Sequence, residues 1–159
     1  MTYDRIAENA FPEDAVDASA RRRQWRSALL ATAERDALIE LADRCLETGE
    51  TEIANEPLVG TVPICVREPV VGERTLLAEA LATRAEVDHR GVRGWAIRLG
   101  DDKVATVAAA VLDAEAATER GLSAEIDELC RSVQRRLDAE DAEEWSELEP
   151  TEVRFEELS

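Results

Sequence analysis

The sequence predicts an α+β fold: an antiparallel four- to five-stranded sheet with helices packed on one face. Three observations predict it. Between Leu58 and Leu99, apolar and polar residues alternate with period two, as half-buried antiparallel strands require. On either side of that stretch, apolar residues instead recur at i, i+3, i+4, i+7 and i+8, the stripe of a one-sided helix. The connections between the strands are of hairpin length. The predicted order is ααββββααβ.

Each element has its own signal. Met1–Ala20 is acidic and lacks apolar periodicity, so residues 1–20 read as a flexible N-terminal tail, ahead of a single α+β domain over residues 21–159. Arg21–Ala31 reads as a first helix, with Trp25, Ala28, Leu29 and Thr32 on one face and Arg21, Arg22, Arg23 and Arg26 as its basic start. Thr32 is the expected cap of a second helix carrying Leu38, Leu41, Ala42, Cys45 and Leu46, with Gly49 as its stop. A first strand follows Pro57, and Pro63 places it at a sheet edge or a bulge. A second extended region runs from Glu73 to about Ala80. The clearest strand is the next, with Leu81, Thr83, Ala85, Val87 and His89 inward and Arg84, Glu86, Asp88 and Arg90 outward. Arg90-Gly91 makes a turn into Val92–Leu99, where Trp95, Ile97 and Leu99 are expected inward and Arg98 on the opposite face.

Asp101 or Asp102 caps a helix whose apolar positions are Val104, Val107, Ala108, Val111 and Leu112. Ser123 caps another, with Ile126, Leu129, Cys130, Val133 and Leu137 inward. Asp138–Glu149 reads as acidic and solvated, and Thr151–Phe155 alternates like a short terminal strand. The organising core is residues 58–114.

Charge sets that core apart. The chain holds 36 acidic and 19 basic residues, and Lys103 is its only lysine among 18 arginines. Leu58–Gly100 nonetheless carries a net charge of +1, so the remainder carries −18 of the total −17. An acidic, lysine-poor surface suits a protein kept soluble at high salt, where screening over a few Å removes self-repulsion. It disfavours non-specific nucleic-acid binding, which depends on Lys and Arg neutralising phosphates. No apolar run reaches the roughly 20 residues a membrane helix needs. Cys45, Cys65 and Cys130 are scattered and odd in number, so they read as reduced core residues of a cytoplasmic protein.

The residues give little catalytic chemistry. His89, the sole histidine, lies in an inward register beside a turn, where a structural role is expected. With one His and no clustered Cys, no zinc or iron–sulfur site is expected. Neither GxxxxGK[ST] nor GxGxxG occurs. Asp101 and Asp102 read as caps. No catalytic and no metal residue is therefore assigned. The arginines of the sheet are better candidates, because guanidinium captures carboxylate or phosphate in bidentate fashion. An Arg-bearing face with matched acids reads as a wet face of compensating pairs, as a partner interface, or as the rim of an anion site.

Taken together, the ordered motifs resemble a known family. Gly72-Glu73-Arg74, Ala82-Thr83-Arg84-Ala85, Gly91 with Gly94-Trp95, Gly100-Asp101-Asp102-Lys103 and Leu112-Asp113-Ala114 are similar to the G subunit of the carbon–phosphorus lyase core complex. Arg23-Gln24-Trp25 with Leu29, and Thr151-x-Val153-x-Phe155, fit the two ends, so the resemblance covers Arg22–Phe155. Asp101 stands where the family usually has Arg, and Thr75–Glu79 departs from its usual aromatic and Gly-Glu.

The resemblance implies a subunit of a cytoplasmic complex that forms α-D-ribose 1-methylphosphonate 5-triphosphate from ATP and methylphosphonate with release of adenine. ATP would be a substrate of the complex, and no cofactor would belong to this subunit. The partners implied are the other core subunits, chiefly the large nucleosidase-like one, and not nucleic acid or membrane. A non-catalytic scaffold is then expected, with Gly72, Glu73, Arg74, Thr83, Arg84, Trp95 and Asp102 at or supporting the interface. The rival expectation is a stand-alone domain that binds an anionic metabolite through its Arg-bearing sheet face.

Overall fold

A computed structural model describes residues 18–148. Helices α1 (Ala18–Thr32) and α2 (Arg35–Leu46) precede strands β1 (Thr51–Arg67), β2 (Arg74–His89) and β3 (Val92–Leu99), and helices α3 (Lys103–Ala117) and α4 (Ser123–Leu148) follow. The strands form one antiparallel sheet in the order β1-β2-β3. The fold is α+β as expected, but the sheet has three strands among the described residues, not four or five. The two extended regions expected at 73–80 and 81–90 are one continuous strand. No breaker lies between Ala80 and Leu81, so the ladder with β1 runs through. The terminal strand expected at 151–155 lies outside the described residues, as does most of the expected tail. Residues 18–20 of that tail are already helical.

Other boundaries move for identifiable reasons. β1 begins at Thr51, ahead of the expected start at Leu58, because register shifts between Ile53 and Leu58 absorb Pro57 into an edge strand. Thr32 closes α1, its Oγ1 donating to Leu29 O at 3.2 Å, and α2 is entered through Glu34 without a side-chain cap. Gly49 lies beyond α2, where a Cβ would stand 2.6 Å from Cγ of Arg90. The acidic segment after Asp138 is solvated, but it is helical, continuing α4 to Leu148. The β2–β3 link is a two-residue turn in which Arg90 and Gly91 both have positive φ (53° and 77°), as a tight hairpin with the sheet's twist demands.

The core forms where α3 lies on the sheet, with α1, α2 and α4 closing around α3. Thr83, Ala85, Val87 and His89 of β2 point into it, as expected. Their partners on β3 are Gly94 and Ala96, not Trp95, Ile97 and Leu99. The expected register of β3 is therefore inverted. The reason is steric. α3 presents Ala105, Ala108, Ala109, Ala110 and Ala114, all buried, and so approaches β3 closely. A Cβ on Gly94 would overlap Ala110 O and stand 2.7 Å from the Cβ of Ala114. A large side chain has no room there, so the large residues of β3 face the other way.

Buried ion pairs tie the helices to this layer. Arg26, itself buried, donates through Nε to Asp127 Oδ1 at 2.7 Å and through Nη1 to Ala116 O at 3.0 Å. Arg22 holds the second oxygen of Asp127. Arg23 grips buried Asp113 through Nε (3.1 Å) and Nη2 (2.7 Å), and its Nη2 also donates to Arg93 O at 2.6 Å. Asp113 in turn accepts from Trp95 N at 3.1 Å. Two outward-pointing backbone groups of β3, Arg93 O and Trp95 N, are thus held by α1 and α3, which hinders pairing of a further strand there.

Two outcomes follow. Gly94→Val should cost about 2–3 kcal/mol in urea unfolding, the usual range for overpacking a filled core. Gly60→Ala, where a Cβ meets nothing within 4 Å, should stay within about 0.5 kcal/mol of the parent. The second concerns acid. Burial alone would raise the Asp127 carboxyl, but hydrogen bonds from Arg26 and Arg22 outweigh it and leave the carboxyl below its ordinary value. A carboxylate lowered by folding stabilises fully above the unfolded value of about 3.9, and loses that stabilisation as pH falls through the folded value. Asp127→Asn should cost about 3–5 kcal/mol at pH 7, because Arg26 is left buried without a counter-charge. The gap to the parent should narrow below about pH 4 when both are unfolded in urea across pH.

Candidate partner interface

The face of the sheet opposite α3 carries what the close packing excludes from the core. Register places its side chains in rungs. Leu58 of β1, Arg84 of β2 and Ile97 of β3 form one rung, and Gly60, Ala82 and Leu99 form the next. On the other side of Arg84, Glu86 lies opposite Trp95 and accepts from Asn55 Nδ2 at 2.6 Å. Leu58 is 67% exposed, Leu99 73% and Trp95 43%. An apolar band with one central arginine therefore faces outward on a chain that is otherwise strongly acidic.

Trp95 and Ile97 also reach around the β3 edge to line an open groove of about 440 Å³ against α1. Ala28, Ala31, Ser27 and Arg23 form its helical wall.

The arginines expected to present an anion-binding face are mostly engaged. Arg84 pairs with Glu86 at 3.0 Å. Arg93 pairs with Asp88 at 2.8 Å and reaches Glu86 at 3.5 Å. Arg98 turns inward, donating to Leu30 O and to Ala33 O (2.9 Å), where its guanidinium ties down the carbonyl end of α1. Burial lowers the Arg98 pKa from its ordinary value. Arg90 lies 3.5 Å from Glu115. Only Arg67 and Arg74 differ. They sit directly opposite one another on the last rung of β1 and β2, and neither has an acidic partner among the described residues.

The residues singled out from sequence fall into three places. Gly72, Glu73 and Arg74 lie at the far end of the β1–β2 hairpin. There Gly72 adopts φ 76°, Glu73 O accepts from Glu68 N at 2.9 Å, and Arg74 opens β2. The Glu68 carboxylate accepts from Val71 N and Val70 N, which hold it below its usual range. Arg84 and Trp95 lie on the outer face. Thr83 and Asp102 are framework residues. Thr83 is fully buried and donates to Gly100 O at 2.8 Å. Asp102 caps α3 by accepting from Ala105 N at 2.9 Å, which with Arg35 at 3.0 Å lowers its pKa.

His89 is fully buried. Its Nδ1 is 2.6 Å from Thr51 Oγ1 and its Nε2 3.3 Å from Glu115, so the ring joins strand to helix. Among the described residues, no group of three His, Cys, Asp or Glu is placed to hold a metal ion. No helix among them is long and apolar enough to cross a membrane. The sequence reading did not single out the buried acids Glu115 and Asp127, and named Asp113 only within a motif. For Glu115 a signal was available: it lies four and three residues beyond Val111 and Leu112, on the apolar stripe of its helix.

A family model described as phosphonate metabolism protein PhnG matches residues 20–159. No curated protein matches the chain.

If the outer band is free surface, Leu99→Ser should leave stability within about 0.5 kcal/mol of the parent, as exposed positions do. Binding of an apolar fluorescent dye to the folded chain should fall. A drop in stability beyond about 1 kcal/mol would mean that Leu99 packs within the chain.

Proposed function

Because the chain belongs to the PhnG family of phosphonate metabolism proteins, we propose that it is a non-catalytic subunit of the carbon–phosphorus lyase core complex. The complex forms α-D-ribose 1-methylphosphonate 5-triphosphate from ATP and methylphosphonate. A phosphonate oxygen takes the place of adenine at the ribose anomeric carbon, and adenine leaves. ATP is then a substrate of the assembly, and this subunit brings no cofactor of its own. The reacting groups belong to a larger nucleosidase-like partner, and the complex works in the cytoplasm.

The observation that carries this reading is the outer sheet face. Leu58, Ile97, Leu99 and Trp95 surround an arginine already paired within the chain, with no reactive side chain among them. Interface cores are poor in charge and rich in aromatic and Arg residues, and this face has that composition. Arg84 and Trp95 are the residues proposed to touch the partner. Thr83 and Asp102 support them by fixing β2 against the β3–α3 junction and by starting α3. Arg84, Arg90, Arg93 and Arg98 are held by partners within the chain, so the rival reading of an anion-binding sheet face has fewer open guanidiniums than sequence promised.

The test is recovery of the tagged chain from its host, at high salt and under phosphate starvation. A large partner and an iron–sulfur subunit should come with it in near-equal amounts. Arg84→Glu should lower that recovery by roughly tenfold, the effect of about 1.4 kcal/mol or more lost at an interface. Equal recovery with Arg84→Glu would remove this face from the interface. A folded chain that elutes alone and takes up ATP or methylphosphonate in a titration would favour the anion-binding domain.

A further inference from the structure

The part of the chain farthest from the core is a two-stranded ribbon. Pairing with β3 ends at Ala82 and Leu99, but β1 and β2 continue for seven more register pairs, from Thr61 opposite Leu81 to Arg67 opposite Arg74. Beyond Leu81 both strands are almost entirely exposed. Thr61, Pro63 and Leu81 line one face, Val62, Ile64 and Ala80 the other. Leu76, Leu77 and Val66 follow toward the tip, where Val70 is 87% exposed. Pro57–Val66 holds ten residues without a charge, in a chain with a net charge of −17.

A two-stranded ribbon alone is at best marginally stable in water. This one also leaves the β2 edge from Arg74 to Ala80 unpaired and free of proline, an open template for another strand. Its last rung sets Arg67 against Arg74, and like charges directly opposite one another are unfavourable. All three features are liabilities in water, and one occupant removes them together.

We propose that the ribbon is a docking arm that inserts into a cleft of another polypeptide, with apolar walls along both faces and an acidic group where Arg67 and Arg74 come to rest. This rests on the complex-subunit reading and adds the surface and the chemistry of the partner. A flat partner would cover one face and leave the other wet, whereas a cleft covers both. The ribbon is roughly 25 Å long and 10 Å wide at normal strand spacings, so its two faces offer about 500 Å². With the adjoining Leu58–Leu99 band, the total approaches the roughly 800 Å² per partner of a stable interface. A second copy of this chain fits poorly, because the described groove against α1 is open and its charged lining residue is Arg23, which offers no acid to Arg67 and Arg74.

Cys65 provides a probe that needs no mutation. It lies on the arm and is exposed, not in the core as expected from sequence, whereas Cys45 and Cys130 are buried and burial pushes their thiols up to about 12. In the free chain at pH 8, an alkylating reagent should modify Cys65 alone. In the complex recovered from the host, that modification should slow by roughly tenfold or more, and amide exchange should slow along both 58–67 and 74–81. Ile64→Glu with Leu76→Glu should lower partner recovery by roughly tenfold or more, since each would place an unpaired charge against an apolar wall. The melting temperature of the body should not change. Arg67→Glu with Arg74→Glu should lower recovery similarly. If the parent chain recovers no partner, the complex reading itself fails. If the parent recovers partners while Cys65 stays as reactive as in the free chain, or the arm variants recover them equally, the arm proposal is overturned and the complex reading stands. A dimer of the chain alone with Cys65 protected would assign the arm to a second copy and overturn the partner named here.

Discussion

The close approach of α3 to the sheet is the constraint from which the rest of this structure follows. Six of the fifteen residues of α3 are buried alanines, and the strand beneath them offers Gly94 and Ala96. Small faces on both elements let backbone lie almost on backbone, so that Asp113 of the helix accepts directly from the backbone N–H of Trp95. Two consequences follow. The edge of β3 is blocked at Arg93 and Trp95 by Arg23 and Asp113, whereas the β1 side and the arm carry no such contacts among the described residues. The bulky residues of β3 are forced to the far face, where Trp95, Ile97 and Leu99 stay partly or largely exposed among the described residues. The outward band of Trp95, Ile97 and Leu99 is thus the other side of the same packing decision.

Arginine is the second thread. Of the cationic groups, Arg22, Arg23 and Arg26 read from sequence as a solvated basic start to a helix. In the fold they reach across to Asp113 and Asp127, on α3 and α4, roughly 100 positions along the chain. Guanidinium suits this use because its fork satisfies two carboxylate oxygens, or a carboxylate and a carbonyl, at once. Arg23 and Arg26 each do the latter. Salt screens exposed pairs such as Arg131 with Glu128 far more than pairs enclosed like Arg26 with Asp127. Arg22, Arg23 and Arg26 thus stand where partly dry pairing with Asp113 and Asp127 holds the helices together.

How much of this was legible in the sequence differs by element. The period of α2 and the alternation from Thr83 to His89 gave the correct faces, because apolar size and burial agree there. On β3 they disagree. Period-2 reading assigns the larger apolar set to the core, and the choice was overruled by the space that α3 leaves. The hint was present as small residues on both partners, Gly94 and Ala96 against a helix rich in alanine, but it required knowing which helix meets which strand. The division at Ala80 was illegible for the opposite reason. Leu76, Leu77 and Leu81 look like strand residues with a buried side, and only the end of β3 pairing at Leu99 shows that the ladder runs on without a core. Of the site residues, Thr83 and Asp102 owed their prominence to framework roles, and Arg84 and Trp95 proved to share one face.

The arginines also bear on the two kinds of function that the sequence left open. An anion site needs guanidiniums that are held in place yet not already satisfied. On the sheet, Arg84 and Arg93 spend their donors on Glu86 and Asp88, and Arg98 spends its own on helix carbonyls. Releasing any of them to a small anion would break a pair already made, so the ligand would gain only the difference between two similar interactions. Arg67 and Arg74 carry no such debt, but they stand at the tip of a ribbon that has no core beneath it and cannot hold a small ligand in fixed geometry. They acquire a fixed geometry only when the ribbon itself is enclosed. The sheet arginines left without an acidic partner and the exposed apolar strands therefore lie on one feature, the ribbon, and the docking arm proposed above would satisfy both.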